Sequence, residues 1–258
     1  MLNHMLIDTH CHLHDAEFYG AKREAVYERA VESGVEALIC VGTSLKDSKA
    51  ALEFVAAHDT AYATIGVHPH DAKDSLEGFE ELVANAGPKL VAIGEIGLDY
   101  YYDNSPRQQQ IAALERQLAA AMAHDLPVSF HVRNAFTDFW PIFDSFKGAR
   151  GVLHSFTDND KNLDEGLSRG LFIGVNGIST FTKDADQQAR YDRIPLDRLL
   201  FETDAPFLAP IGRRGQTNQP AFVREVAEYH ATRRNVSLEA LAQATTNNAK
   251  HLFFLKNS

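Results

Sequence analysis

Eight short apolar runs recur along the chain, and each is followed by a stretch with helical punctuation. They occupy residues 6–13 (LIDTHCHL), 35–42 (VEALICVG), 61–68 (AYATIGVH), 90–98 (LVAIGEIGL), 127–133 (PVSFHVR), 151–156 (GVLHSF), 171–177 (LFIGVNG) and 199–204 (LLFETD). Their character is nearly continuous rather than strictly alternating, as expected of parallel strands covered on both faces. Helix signals fill the gaps. Ser105-Pro106 reads as an N-cap with proline at the first helical position, opening RQQQIAALERQLAAAMAHD. The segment KREAVYERAVES stops at Gly34, and a last helix runs over about residues 237–255. Strand–helix repeated eight times predicts an α/β protein, a single (β/α)8 TIM barrel over residues 1–258, with its site at the C-terminal ends of the strands. A length of 258 residues suits one such barrel, and no linker or low-complexity tract divides it. Neither G-x-G-x-x-G nor a P-loop argues for an open doubly wound sheet.

Charge and cysteine content narrow the partners. A formal net charge of −10 opposes broad electrostatic attraction to nucleic acid or an anionic membrane. It leaves room for a phosphate substrate, because bound cations reverse the field inside one cleft. The two cysteines, Cys11 and Cys40, lie in apolar runs and suit a reduced, intracellular protein. The start, MLNHMLIDTHCH, lacks the pattern of a secretory signal, and no run of 18 apolar residues occurs. A cytoplasmic location without a membrane span is expected.

The unusual polar residues gather at strand ends. His10 and His12 are two apart on the first strand and therefore share a face. Glu95 is placed at the end of the fourth strand, His131 the fifth, His154 the sixth and Asp204 the eighth. One imidazole inside a strand is commonly a satisfied core residue. Six titratable groups at matching ends of five strands are costly to bury singly and find one explanation in shared metal ions. Nitrogen and oxygen donors of this kind suit Zn, Mn, Ni or Fe better than Mg. Cys11 sits between the two histidines and points the other way, as a small core residue.

The chain resembles the TatD-related family of metal-dependent hydrolases in the amidohydrolase superfamily. The resemblance rests on LIDTHCHL, IGVHPHD, VAIGEIGLDYY, FHVRNAF, LHSFT, LFIGVNG, LLFETDAPFL, TNQPAFV and TTNNAKHLF, which span the chain. It implies two divalent metal ions, one held by His10, His12, Glu95 and Asp204 and a second by Glu95, His131 and His154, with Glu95 bridging. Two departures stand out: Ser155 replaces a usual cysteine, and Asn218-Gln219-Pro220 replaces Asn-Glu-Pro.

Further residues have two readings each. Asp8 and Glu202 either hydrogen-bond the ligating imidazoles or fill a barrel layer as buried polar groups. His68 and Arg133 are candidates for substrate binding, gripping a phosphate oxygen, while a rim salt bridge is the other reading for Arg133. Tyr100-Tyr101-Tyr102 is either a packed loop or a base-stacking surface. His14 and His70 are expected in solvent, and His4, His58, His124, His230 and His251 as ordinary surface or helix residues.

The resemblance implies a nuclease: a phosphodiesterase acting on DNA ends or short single-stranded DNA, as a 3'-5' exonuclease with a metal-activated water. Asp204 would be the general base and Glu95 would set the metal separation. The same metals also suit an ester, amide or lactone bond in a small molecule or aminoacyl conjugate. A purely structural metal is a third reading, disfavoured because such sites are usually closed four-ligand cages. No protein partner is implied.

Overall fold

A computed structural model describes residues 5–102 and 104–255, so the expectation for His4 lies outside the described residues. Each apolar run forms a strand: β1 (Leu6–Cys11), β2 (Val35–Val41), β3 (Ala61–Ile65), β4 (Leu90–Asp99), β5 (Val128–Arg133), β6 (Gly151–Leu153), β7 (Phe172–Val175) and β8 (Leu199–Phe201). They belong to one sheet whose order is that of the chain, the (β/α)8 topology. By internal contacts the chain falls into two compact units, residues 5–40 with 155–255, and residues 41–154.

In the first unit β1 runs parallel to β2, with Ile7 opposite Ala37 and Cys11 opposite Cys40, and β7 runs parallel to β8. The first and last strands also meet. Thr9 Oγ1 donates to the Phe201 carbonyl at 3.0 Å, and the amides of Asp204 and His12 donate to His10 and Ala205 at 2.8 and 2.7 Å. Pairing of the chain's start with its end is what removes the free edges of a parallel sheet. The helix Leu238–Phe253 packs on both strands and begins as the sequence suggests, with Ser237 Oγ accepting the Ala240 amide. The helix Arg23–Glu32 likewise ends before Gly34, whose φ of 87° suits glycine.

In the second unit β3 to β6 are consecutive parallel neighbours. Here β4 is ten residues long, so Glu95 lies inside it rather than at its end, and His131 lies inside β5. The ladder continues past Glu95 because Gly97, Leu98 and Asp99 stay opposite His131, Val132 and Arg133. Gly97 permits this. At its φ of 152° an added Cβ would sit 1.8 Å from the His131 carbonyl oxygen. β3 is shorter than expected, ending at Ile65, which leaves His68 in the loop beyond.

The helix expected after Ser105-Pro106 forms over Arg107–Ala123, one residue late, and Ser105 is not its cap. The Ser105 hydroxyl instead donates to the His70 carbonyl at 2.6 Å and accepts the Lys73 amide, fastening the loop after β3. Two buried glutamines on this helix, Gln110 and Gln117, serve as backbone partners. Gln110 accepts from the Asp99 amide and donates to its carbonyl, and Gln117 does the same for Val67. Spaced by seven residues, they share one helix face and satisfy backbone at the end of β4 and just beyond β3 that would otherwise be buried without partners.

Three histidines expected at the surface or in solvent are not there, while His230, expected on the surface or a helix, lies in the helix Val223–Arg234. His14 and His58 are buried, His70 is half-buried, and His230 is fully buried. His58 stacks on Phe54 and bonds its carbonyl, while His230 Nε2 bonds Ser179 Oγ at 2.8 Å among the rings of Tyr191, Phe201 and Tyr229. An imidazole with one bonded nitrogen is apolar enough to pack among rings, so polarity alone misplaces it. His124 and His251 are exposed as expected.

Burial lowers the pKa of His230 to about 3, with Arg234 adding to the effect. The unfolded chain takes up a proton near pH 6.5 that the folded chain refuses. The stabilisation is therefore complete above pH 6.5 and is lost as pH falls towards 3. A single such proton gives a slope of about 1.4 kcal/mol per pH unit between these limits. Urea unfolding at pH 4 to 7 should show the His230→Phe variant with a pH dependence shallower by that amount. Equal slopes would mean that His230 does not report on folding.

Candidate active site

In the first unit β1 presents His10 and His12 on one face, and the backbone bonds between β1 and the segment after β8 bring Asp204 beside them. Asp204 Oδ1 lies 3.7 Å from His10 Nε2 and 3.4 Å from His12 Nε2. Asp204 has a φ of 57°, a left-handed conformation that aspartate tolerates better than most residues. Its neighbour Thr203 holds it in place: Asp8 accepts the Thr203 amide at 2.9 Å and its hydroxyl at 2.6 Å. Asp8 also accepts the His10 amide, and its burial drives its pKa well above the usual carboxylate range despite these bonds. Asp8 thus ties the strand carrying the imidazoles to the one carrying Asp204. Glu202 accepts the Ser155 amide at 2.7 Å, and Asn176 donates to Ser155 Oγ.

In the second unit one carboxylate oxygen faces three imidazoles. Glu95 Oε1 lies 2.7 Å from His131 Nδ1, 3.7 Å from His68 Nε2 and 3.7 Å from His154 Nε2. His68, Glu95 and His131 each offer a ligand atom within 4.8 Å of the others. His68 Nδ1 accepts the His70 amide, so its proton sits on Nε2, towards Glu95. Burial, then the nearby His131, lowers the His68 pKa to about 3, leaving a neutral donor at pH 7.

Asp99 is the residue that reading the sequence missed. Its Oδ2 bonds His131 Nε2 and His70 Nε2, each at 2.9 Å, and its Oδ1 accepts the amides of Tyr101 and Tyr102. Burial opposes its charge, but the bonds from His131, Tyr102 and His70 prevail and hold the carboxyl well below the usual range. His131 shows the mirror effect: burial opposes its charge, yet Asp99 and Glu95 raise it to about 9. A carboxylate on the far nitrogen of an imidazole leaves the near nitrogen to serve as a ligand.

These donors suit divalent metal. Around a tetrahedral ion with bonds of ~2.1 Å, ligand atoms stand about 3.4 Å apart. The spacings around Asp204 Oδ1, and those from Glu95 to His68 and His154, fall at or near that value. The 2.7 Å approach of His131 to Glu95 is a hydrogen bond that such an ion would replace, while His131 Nε2 keeps its proton and donates it to Asp99.

The family model for TatD-related DNase matches residues 7–254. The uncharacterized metal-dependent hydrolase YabD of Bacillus subtilis (strain 168) is 38% identical, covering 96% of this chain and 99% of its own. The 3'-5' ssDNA/RNA exonuclease TatD of Edwardsiella piscicida is also 38% identical, over 97% of this chain and 100% of its own. Among solved structures, the TatD homolog YjjV of Escherichia coli K12 superposes with a TM-score of 0.90 at 30% identity, covering 97% and 98% of the two chains. This chain belongs to the TatD-related family of metal-dependent hydrolases. Its fold is the family's (β/α)8 barrel. Among the described residues no helix is long and apolar enough to cross a membrane.

Both departures from the TatD-related pattern have structural partners. Ser155 has a φ of 49° and joins Glu202 and Asn176 through its amide and hydroxyl. Asn218, fully buried, donates to the carbonyls of Thr203 and Phe207 and so braces the turn that carries Asp204. Gln219, where the family usually has glutamate, accepts Arg29 Nε of the helix Arg23–Glu32 at 2.8 Å in an exposed contact. The amide keeps the hydrogen bond that a glutamate would make as an ion pair. Among the described residues Arg133 has no carboxylate partner for the rim salt bridge considered for it. Its guanidinium lies over the rings of Tyr101 and Tyr102, 4.0 and 5.0 Å from their centres. Tyr100 is the packed member of its run, donating to Asp138 at 2.8 Å.

Proposed function

We propose that this chain is a phosphodiesterase that trims single-stranded DNA from a 3' end. The observation that carries the reading is the Glu95 carboxylate faced by three imidazoles, one of them backed by Asp99. By the family resemblance, His10, His12, Glu95 and Asp204 would hold one divalent cation, and Glu95, His131 and His154 a second. Imidazole-rich donors favour Zn, Mn, Ni or Fe over Mg. Such ions, when bound, supply positive charge for phosphate oxygens and make water more acidic. Asp204 accepts the proton released as water attacks phosphorus, the bond from phosphorus to the leaving 3' oxygen breaks, and that oxygen takes up a proton from Asp204 or solvent. His68, donating from Nε2, and Arg133 stabilise charge growing on the non-bridging oxygens. Two relatives carry the name 3'-5' ssDNA/RNA exonuclease, which supports a nucleic-acid substrate.

The net charge of −10 argues that few phosphates are gripped. Affinity should then fall gently with salt, with a log–log slope of about −0.7 per phosphate on a single strand. The test is a set of 5'-labelled substrates incubated with the protein and Zn, Mn, Mg or Ni. The expected result is progressive shortening of linear single strands, with closed circular single strands left intact and chelation abolishing activity. Cleavage of the circles would overturn the exonuclease reading. Failure on every nucleic acid, with hydrolysis of an ester, amide or lactone, would move the site to small-molecule substrates.

A further inference from the structure

Tyr101 and Tyr102 are 57% and 45% exposed, among the most exposed large apolar side chains described. Their rings stand at 86° with centres 4.8 Å apart, and the Arg133 guanidinium covers part of both. Exposed aromatics on a tethered backbone differ from a loose loop tip, and this backbone is tethered at several points. Asp99 Oδ1 accepts both tyrosine amides, at 2.9 and 3.1 Å. The Tyr100 amide bonds the Arg133 carbonyl at 2.9 Å, and the Tyr100 ring lies under Arg107 with its hydroxyl on Asp138. His70 meets Tyr102 edge-on.

The position is as specific as the rigidity. Arg133 is two residues after His131 on β5 and so shares its face. Asp99 holds the tyrosine backbone with one oxygen and His131 with the other. Two aromatic faces and a guanidinium plane are thereby referenced, through one carboxylate, to a candidate ligand.

We propose that Tyr101, Tyr102 and Arg133 form a stacking subsite for an unpaired nucleobase next to the hydrolytic site. The proposal rests on the phosphodiesterase reading and deepens it by saying how a strand end is recognised. Every base has a π-face, so stacking accepts any sequence, but a base inside a duplex is already stacked on its neighbours and cannot offer that face. The guanidinium adds cation–π attraction and local positive charge to an otherwise acidic protein. The subsite therefore selects single strands over duplex without reading sequence.

The test separates base from backbone. Fluorescence anisotropy would compare a labelled hexathymidylate with an abasic oligomer of equal length and charge, both with hydrolysis-resistant phosphorothioate linkages, using the metal-loaded protein. Wild type should bind the thymidylate roughly tenfold or more tightly, from the usual strength of base–aromatic stacking. The Tyr101→Ala/Tyr102→Ala double variant should lose that preference, whereas Tyr101→Phe should keep it. Arg133→Lys should retain part of it, since lysine keeps the charge and loses the planar fork. Circular dichroism of each variant reports folding independently of binding. Equal binding of the two oligomers by wild type, or a preference surviving the double alanine change, would overturn the subsite. Trimming of linear DNA by that same wild type would leave the phosphodiesterase reading standing. Binding of neither oligomer, together with no trimming, would end both.

Discussion

Asp204→Asn is expected to lower kcat on linear single-stranded DNA by about 10²–10⁴-fold, the usual contribution of a positioned general base. The side chain stays the same size and keeps one carbonyl oxygen toward His10 and His12, which stand 3.7 and 3.4 Å from its Oδ1. The backbone that places it is untouched, because the Asp204 amide bonds His10 and Asp8 holds Thr203. What disappears is the basic oxygen proposed to take the proton. Metal analysis of the purified variant is the control, and content close to that of wild type is expected. Near-normal kcat with metal retained would remove Asp204 from the role of base. Loss of metal along with activity would make it chiefly a ligand.

Asp99→Ala should have the second largest effect, on both metal affinity and stability. Removing a carboxylate that orients a ligating imidazole typically weakens metal binding about 10–100-fold. The stability cost should be about 3–5 kcal/mol, the range for removing one partner of a buried ion pair. Asp99 side-chain atoms are inaccessible, and four donors converge on them. The pH dependence has a definite sign. The folded carboxyl titrates below its unfolded value near 4, so its contribution is present above pH 4 and is lost as pH falls below it. Urea unfolding of the metal-free proteins at pH 7 and pH 3 measures this, with a variant deficit larger at pH 7. Metal titration reads the affinity separately. Unchanged metal affinity would show that Asp99 serves only the tyrosine loop.

The eight strands and their order were legible in the sequence because strands covered on both faces must be nearly all apolar, and that signature is local. The candidate ligands were legible for the converse reason. His10, Glu95, His131 and the others are titratable groups inside runs where burial is costly, so each interrupts a pattern that otherwise holds. Helix ends at Gly34 and Ser237 were also local, being set by one residue's φ or one hydroxyl.

Other features depended on partners distant in sequence. Nothing around Asp99 distinguishes it from a loop aspartate until β4 runs on beside β5 and sets its oxygens against His131, 32 residues away. Asn218 stands out in the sequence only as part of Asn218-Gln219-Pro220, yet it braces the backbone of Thr203 and Phe207. Gln110 and Gln117 carry no distinguishing signal in the sequence, although they complete the hydrogen bonding of Asp99 at the end of β4 and of Val67 after β3. Ser105 looked like a cap because its own sequence neighbours suit one, and the loop after β3 claimed its hydroxyl instead. The sequence by itself determined which residues are polar where polarity is expensive, and hence the family and the candidate chemistry. Only the tertiary structure decided how those polar groups are satisfied, because a hydrogen-bond partner is chosen by proximity in space and the chain's local pattern carries no record of it.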